Sequence, residues 1–110
     1  MKTGGYFYLF ASLDYCCRGL LSDYNVIVGR SKKVGGPYLD KDGKLLVNGG
    51  GTVIAKGNDD WTGVGHSAHY IMDKKSIMIM HGYDKRDNGR SKLIIREMNW
   101  SSDGWPSIIL

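Results

Sequence analysis

The sequence contains one glutamate, Glu97, and only two prolines and two cysteines. Its apolar runs are only a few residues long, far below the roughly 20 that a helix needs to cross a bilayer. A membrane-spanning helix is thereby excluded. The first ten residues, MKTGGYFYLF, lack the continuous apolar centre of a secretory signal peptide. Blocks of like charge are missing too. Fifteen basic against 11 acidic residues give a net charge of +4, and the basic pairs Lys32-Lys33, Lys74-Lys75 and Lys85-Arg86 stand apart from one another. A nucleic-acid surface needs a clustered basic stripe, so neither nucleic acid nor membrane is an expected partner. The two cysteines, Cys16 and Cys17, are adjacent and lack the CxxC spacing of a zinc site.

What is abundant is glycine, 16 residues in 110, in a chain that is 42% hydrophobic and 24% charged. That composition belongs to a folded, turn-rich β chain. Apolar residues recur with a period of two or in short runs: Tyr6 to Ala11, Val26 to Val28, Thr52 to Ala55, Ala68 to Met72, Ser76 to His81, Lys92 to Met98 and Ser107 to Leu110. No stretch carries a helical period, so the fold class is all-β with six or seven strands. Asp40-Lys41-Asp42-Gly43 and Asp87-Asn88-Gly89 read as hairpin turns. Ile77 to Met80 and Leu93 to Ile95 are apolar on both faces, which implies sheets stacked on further sheets. A strand begins within six residues of Met1, and the chain stops on Ile108-Ile109-Leu110. Both ends therefore look cut from a longer domain.

Three groups of residues can carry chemistry. Adjacent Cα atoms lie about 3.8 Å apart, short of the roughly 4.4–6.8 Å of a relaxed disulfide. Two reduced thiols are thus the expected state of Cys16-Cys17, with a bonded pair forming a rigid apolar bump as the other reading. His66 follows Gly63-Val64-Gly65, where glycines permit close backbone approach and could present an imidazole to a cavity. His69 and His81 sit in strand patterns, where a hydrogen-bonded core role is expected. Arg30 ends a β run and offers forked donors to a ligand hydroxyl or carboxylate. Most of the ten aspartates fall in turns; Asp14 and Asp84 are the least turn-like, and no two carboxylates form an evident acid–base pair.

In order along the chain come Gly5-Tyr6-Phe7-Tyr8-Leu9-Phe10, Asp14-Tyr15-Cys16-Cys17-Arg18-Gly19, Val28-Gly29-Arg30-Ser31, Gly36-Pro37-Tyr38-Leu39-Asp40 and Gly49-Gly50-Gly51-Thr52. Gly65-His66-Ser67-Ala68, His81-Gly82-Tyr83-Asp84, Asn88-Gly89-Arg90 and Asp103-Gly104-Trp105-Pro106 complete the series. This succession resembles the C-terminal part of the catalytic domain of glycoside hydrolase family 43, specifically its arabinan endo-1,5-α-L-arabinosidases. The resemblance spans essentially the whole chain.

It implies a five-bladed β-propeller, which needs about 300 residues, so residues 1–110 would supply about two blades of antiparallel strands. It implies an inverting hydrolase that works with an aspartate base, a glutamate acid and a further aspartate that tunes the acid. In the family pattern all three precede this segment, so the chain is expected to carry no catalytic residue and to be inactive alone. His66 matches a channel histidine that helps hold a calcium ion; contact through water suits an imidazole beside so hard a cation. Cys16 and Cys17 match a pair lining the substrate groove, and Arg30 falls in a Gly-Arg-Ser motif placed near substrate. Val64 replaces a frequent proline and Gly82 a frequent alanine. The implied partner is arabinan or an arabino-oligosaccharide, and the implied location of the intact parent is outside the cell. A non-catalytic glycan-binding module built from two blades is the alternative function. Apolar blade faces left open would lead to self-association.

Overall fold

The structure, a computed structural model, describes residues 1–110. Nine strands form antiparallel ladders: β1 (Lys2–Thr3), β2 (Tyr6–Leu13), β3 (Asn25–Ser31), β4 (Thr52–Ala55), β5 (Trp61–Met72), β6 (Lys75–Asp84), β7 (Arg90–Glu97), β8 (Asn99–Trp100) and β9 (Pro106–Ser107). β1 to β4 make one four-stranded meander, β5 to β7 a three-stranded one, and β8 pairs with β9. The only helical pieces are three short 3-10 turns. The all-β expectation holds, in sheets of four, three and two strands.

Turn chemistry sets the registers. Asp73 and Lys74 take φ of 49° and 66°, the paired positive values of a two-residue hairpin turn whose twist matches its strands. The Asp87-Asn88-Gly89 signal lies in a longer connection: Lys85–Asp87 form a 3-10 turn, and Asn88 and Gly89 follow at φ of 55° and 72°. Asp40 anchors the other expected turn. Its Oδ1 accepts the Asp42 and Lys44 amides at 3.0 and 2.8 Å, and its Oδ2 accepts Gly51 N–H at 2.9 Å.

β5 differs most from expectation. It starts at Trp61, seven residues before the expected Ala68. Its pairing with β6 shifts between Thr62 and Gly65 and again between Gly65 and Ala68. Each shift gives β5 one residue more than its partner, a bulge that hides the strand from a period-two reading. The expected strand Ser107 to Leu110 shrinks to Pro106–Ser107, because β8 offers only two residues to pair with.

The main core joins both sheets. Val26 of β3, Ala55 of β4, Val64 of β5, Met78 and Met80 of β6, Ile94 of β7 and Met98 form one buried cluster. Full burial of a side chain such as Met78 or Met80 contributes about 1.5–3 kcal/mol. Met78 and Met80 point the same way from β6; on the opposite face Tyr83 is buried at one end, while Leu93 and Ile95 of β7 stay exposed. The stacking expected on both faces is therefore met fully on one face and only in part on the other.

Candidate functional site

The connection from β2 to β3 builds the site. Leu13 ends β2, Asp14 turns the chain at φ 66°, and Cys17 turns it again at φ 69°. Backbone and side chains then tie this segment to itself. Tyr15 N–H donates to Asp23 Oδ1 at 2.8 Å, Arg18 N–H to Ser22 Oγ at 2.9 Å, and the Asn25 amide to Asp14 Oδ2 at 2.6 Å. Within the segment Cys16 and Cys17 are joined in a vicinal disulfide, Cα to Cα 3.8 Å. The expectation of two reduced thiols is corrected here. The spacing argument described relaxed bridges, whereas a segment tied at both ends holds the adjacent sulfurs together. Cys16 is half-buried and Cys17 exposed, so the bridge presents sulfur at the surface.

A run of rings leads inward from the bridge. Cys17 N–H donates to the Tyr83 hydroxyl oxygen at 2.7 Å. The buried Tyr83 ring meets the His81 imidazole edge-on at 5.5 Å between centroids. His81 in turn lies 6.1 Å from both His66 and Tyr24. Glycines make this closeness possible: a Cβ on Gly63 would stand 2.8 Å from the Tyr83 ring, and one on Gly65 would meet the Tyr24 ring. His66 itself sits in the β5 bulge at φ 54°, exposed, with its N–H held by Ser12 Oγ at 2.9 Å.

His81 Nδ1 is buried without a hydrogen-bond partner, and so is His69 Nε2. The expectation that strand histidines find partners fails at both. Burial first, and the neighbouring His66 second, lower the His81 pKa, which favours a neutral ring. Burial likewise lowers His69 to about 4.

Cys16, Cys17 and His66 are thus brought to one region, and Arg30 is not. Arg30 is five residues along β3 from Asn25, about 17 Å at strand rise, toward the opposite end of the ladder. There its guanidinium lies between the rings of Tyr6 and Trp105, at 4.3 and 4.4 Å. The sequence reading passed over Tyr83, Tyr24 and His81 as site residues. His81 and Tyr83, two apart on a strand, share one face, and that alternation was the available signal.

Two of the carboxylates, Asp84 and Glu97, are held by cations. Asp84 is buried and accepts from Arg86 Nε and Lys92 Nζ, each at 2.9 Å. The Arg86 and Lys92 hydrogen bonds hold its carboxyl well below the usual range, so it stays ionised. Glu97 is paired with Lys75 at 3.0 Å, six and four ladder positions away from His81. No three His, Cys, Asp or Glu side chains converge as a metal site. A calcium ion wants six to eight oxygen ligands, so these residues do not fit direct coordination.

The family model of glycosyl hydrolases family 43 matches residues 1–106. An extracellular exo-α-(1→5)-L-arabinofuranosidase of Cellvibrio japonicus is 45% identical over 98% of this chain and 31% of its own length. An extracellular endo-α-(1→5)-L-arabinanase of Bacillus subtilis is 50% identical over 94% of this chain and 31% of its own. The crystal structure of an exo-1,5-α-L-arabinanase from a bovine ruminal metagenomic library superposes with a TM-score of 0.97 at 49% identity, covering 100% of this chain and 36% of that one. An α-L-arabinanase of Cellvibrio cellulosa complexed with arabinohexaose gives 0.95 at 45% identity, covering 99% and 35%. The chain spans about a third of the length of these relatives. Residues 1–110, with a disulfide-bearing loop set against buried tyrosine and histidine rings, belong to glycosyl hydrolases family 43.

Proposed function

We propose that this chain forms part of the substrate groove of an arabinan-cleaving glycosidase exported from the cell, and that the reacting carboxylates lie outside residues 1–110. The observation that carries the reading is the unbroken path from the Cys16–Cys17 bridge through Tyr83 and His81 to His66. Relatives of this sequence act on α-1,5-linked arabinose by name, and one is complexed with arabinohexaose.

The chemistry divides accordingly. Inversion requires an acid at the glycosidic oxygen and a base on a water at the opposite face, roughly 6.5–9.5 Å apart. Asp84 and Glu97 are each committed to a cation, which supports a positioning role for this chain. The disulfide offers an apolar, fixed surface for a furanose ring to pack against. Tyr83 fixes the loop by accepting the Cys17 amide, and the glycines at 63 and 65 let the rings behind it close up. His66 has an exposed imidazole and a backbone already held by Ser12, suited to ordering a water. A calcium ion in the parent channel would be met by His66 only through that water.

A chimera in which this chain replaces the matching third of the Bacillus subtilis arabinanase tests the reading. It is expected to release reducing ends from linear arabinan, while the chain alone releases none. A chimera that melts cooperatively yet leaves arabinan intact would overturn the groove assignment. Hydrolysis by the chain alone would overturn the placement of the carboxylates.

A further inference from the structure

At the far end of the β2–β3 ladder from the disulfide lies a hollow of about 490 Å³. Its wall is a preformed loop. The backbones of Arg30 and Leu39 exchange hydrogen bonds at 2.8 and 3.0 Å, and the Tyr38 hydroxyl donates to Val34 O at 2.8 Å, which pins the intervening segment. Cations dominate the lining: Arg30, Lys32, Lys33 and Lys41. Asp40, the carboxylate among the lining residues, is already engaged by three backbone amides and is unavailable to neutralise them. Lys32 and Lys33 are exposed and form no ion pair.

Arg30 is the centre of the arrangement. Its guanidinium carbon lies over the rings of Tyr6 and Trp105, at 4.3 and 4.4 Å, and one edge donor, Nη1, donates to Asp103 O at 2.7 Å. Its remaining edge donors are fixed in direction and without a protein partner, the geometry in which a guanidinium grips a planar carboxylate. A second hollow of about 370 Å³ shares Tyr6 and Arg30 and is lined by Thr3, Ser102 and Asp103, whose carboxylate lies 3.6 Å from Lys41 Nζ and leaves Arg30, Lys32 and Lys33 as the cations without a carboxylate partner. A simple inorganic anion would need only the cations. Two adjoining hollows, aromatic walls and neutral hydroxyls fit a ligand of more than one ring.

We infer that this surface binds an acidic saccharide, with a uronate carboxylate at Arg30, Lys32 and Lys33 and a neighbouring sugar ring in the adjoining hollow beside Tyr6 and Thr3. The inference does not depend on the cleavage of arabinan.

Titration of the isotopically labelled chain with a trisaccharide of linked uronic acids, followed by NMR, provides the test. Saturable shifts at Tyr6, Arg30 and Trp105 are expected, with a Kd of about 1 mM in low salt. Affinity should fall about fivefold or more between 50 and 300 mM NaCl, because exposed charges are screened over shorter distances. The variant K32E/K33E alters two exposed loop side chains and should lose about tenfold in affinity with the Trp105 indole resonance unmoved. Neutral arabinotriose should produce no shifts in this hollow, and inorganic phosphate should displace the uronate only weakly. Equal binding of arabinotriose would make this a neutral-sugar surface and overturn the inference. Phosphate binding as tight as the uronate would reduce the site to a simple anion site, also against it. Salt-insensitive binding, or none at 10 mM ligand, which is about ten times the expected Kd, would overturn it without reference to any variant.

Discussion

His69 lies flat against Phe10, ring centroids 3.8 Å apart, with its Nε2 buried and unpartnered. Burial first, and the positive N-terminus second, depress its pKa from 6.5 to about 4. Between those values the unfolded chain takes up a proton that the folded chain refuses, so stability falls as pH drops from 6.5 toward 4. His81, depressed by its own burial, adds to the same slope. Urea midpoints at pH 7 and pH 4.5 should therefore differ, and His69→Phe should flatten the difference by about 1 kcal/mol once partial exposure is allowed for. Parallel pH profiles for the two proteins would refute the assignment. At this scale the sequence was legible where glycines flagged a residue. Gly63 and Gly65 drew attention to His66, and the structure does set it apart at φ 54° in a bulge. It was not legible where the cause is a long-range fold. Nothing local distinguishes His69 or His81 from ordinary strand residues, because their lost hydrogen bonds arise from rings on other strands. The disulfide belongs to the same class. It sits in a segment tied by Tyr15 to Asp23 and by Arg18 to Ser22, contacts that spacing alone does not announce.

Strands were read well wherever side chains alternate in a straight ladder. Thr52–Ala55 emerged with its observed ends, β6 runs one residue earlier and three later than expected, and β7 starts two residues earlier and ends one sooner. β5 was half missed, since two bulges reset its alternation within seven residues. Packing against β6 also gives a reason for Gly82. A Cβ there would stand 2.7 Å from Ile94 Cδ1 and 3.0 Å from Val64 Cγ1, so a β6 residue larger than glycine requires a smaller neighbour. Gly82→Ala should destabilise the chain by about 1–3 kcal/mol through overpacking. The same substitution in an Ile94→Val background should cost less, with a coupling of about 0.5–1 kcal/mol between the two positions. Denaturant unfolding of the four proteins of this cycle measures it, and strict additivity would contradict the contact.

Considered whole, the molecule is a slab of 42 × 35 × 20 Å whose thinnest dimension is about two sheet layers. One side of β7 shows Leu93 at 68% and Ile95 at 53% exposure. Apolar surface so placed favours association. The chain alone is expected to sediment as dimers or larger species, and L93K/I95K to shift it toward monomer; a monomeric parent chain in sedimentation velocity would refute this. The two sheets meet across a seam tied by Cys17 N–H to the Tyr83 hydroxyl, His66 N–H to Ser12 Oγ, and Thr62 Oγ1–H to Ser22 O. All three ties fall on the short stretch from Ser12 to Ser22. Wedges repeated about an axis close into a circle only when their angles sum to a full turn. Three hydrogen bonds on one stretch of 11 residues hold these two sheets at one angle, and a change in the length of that stretch would be felt as a change in the wedge between them.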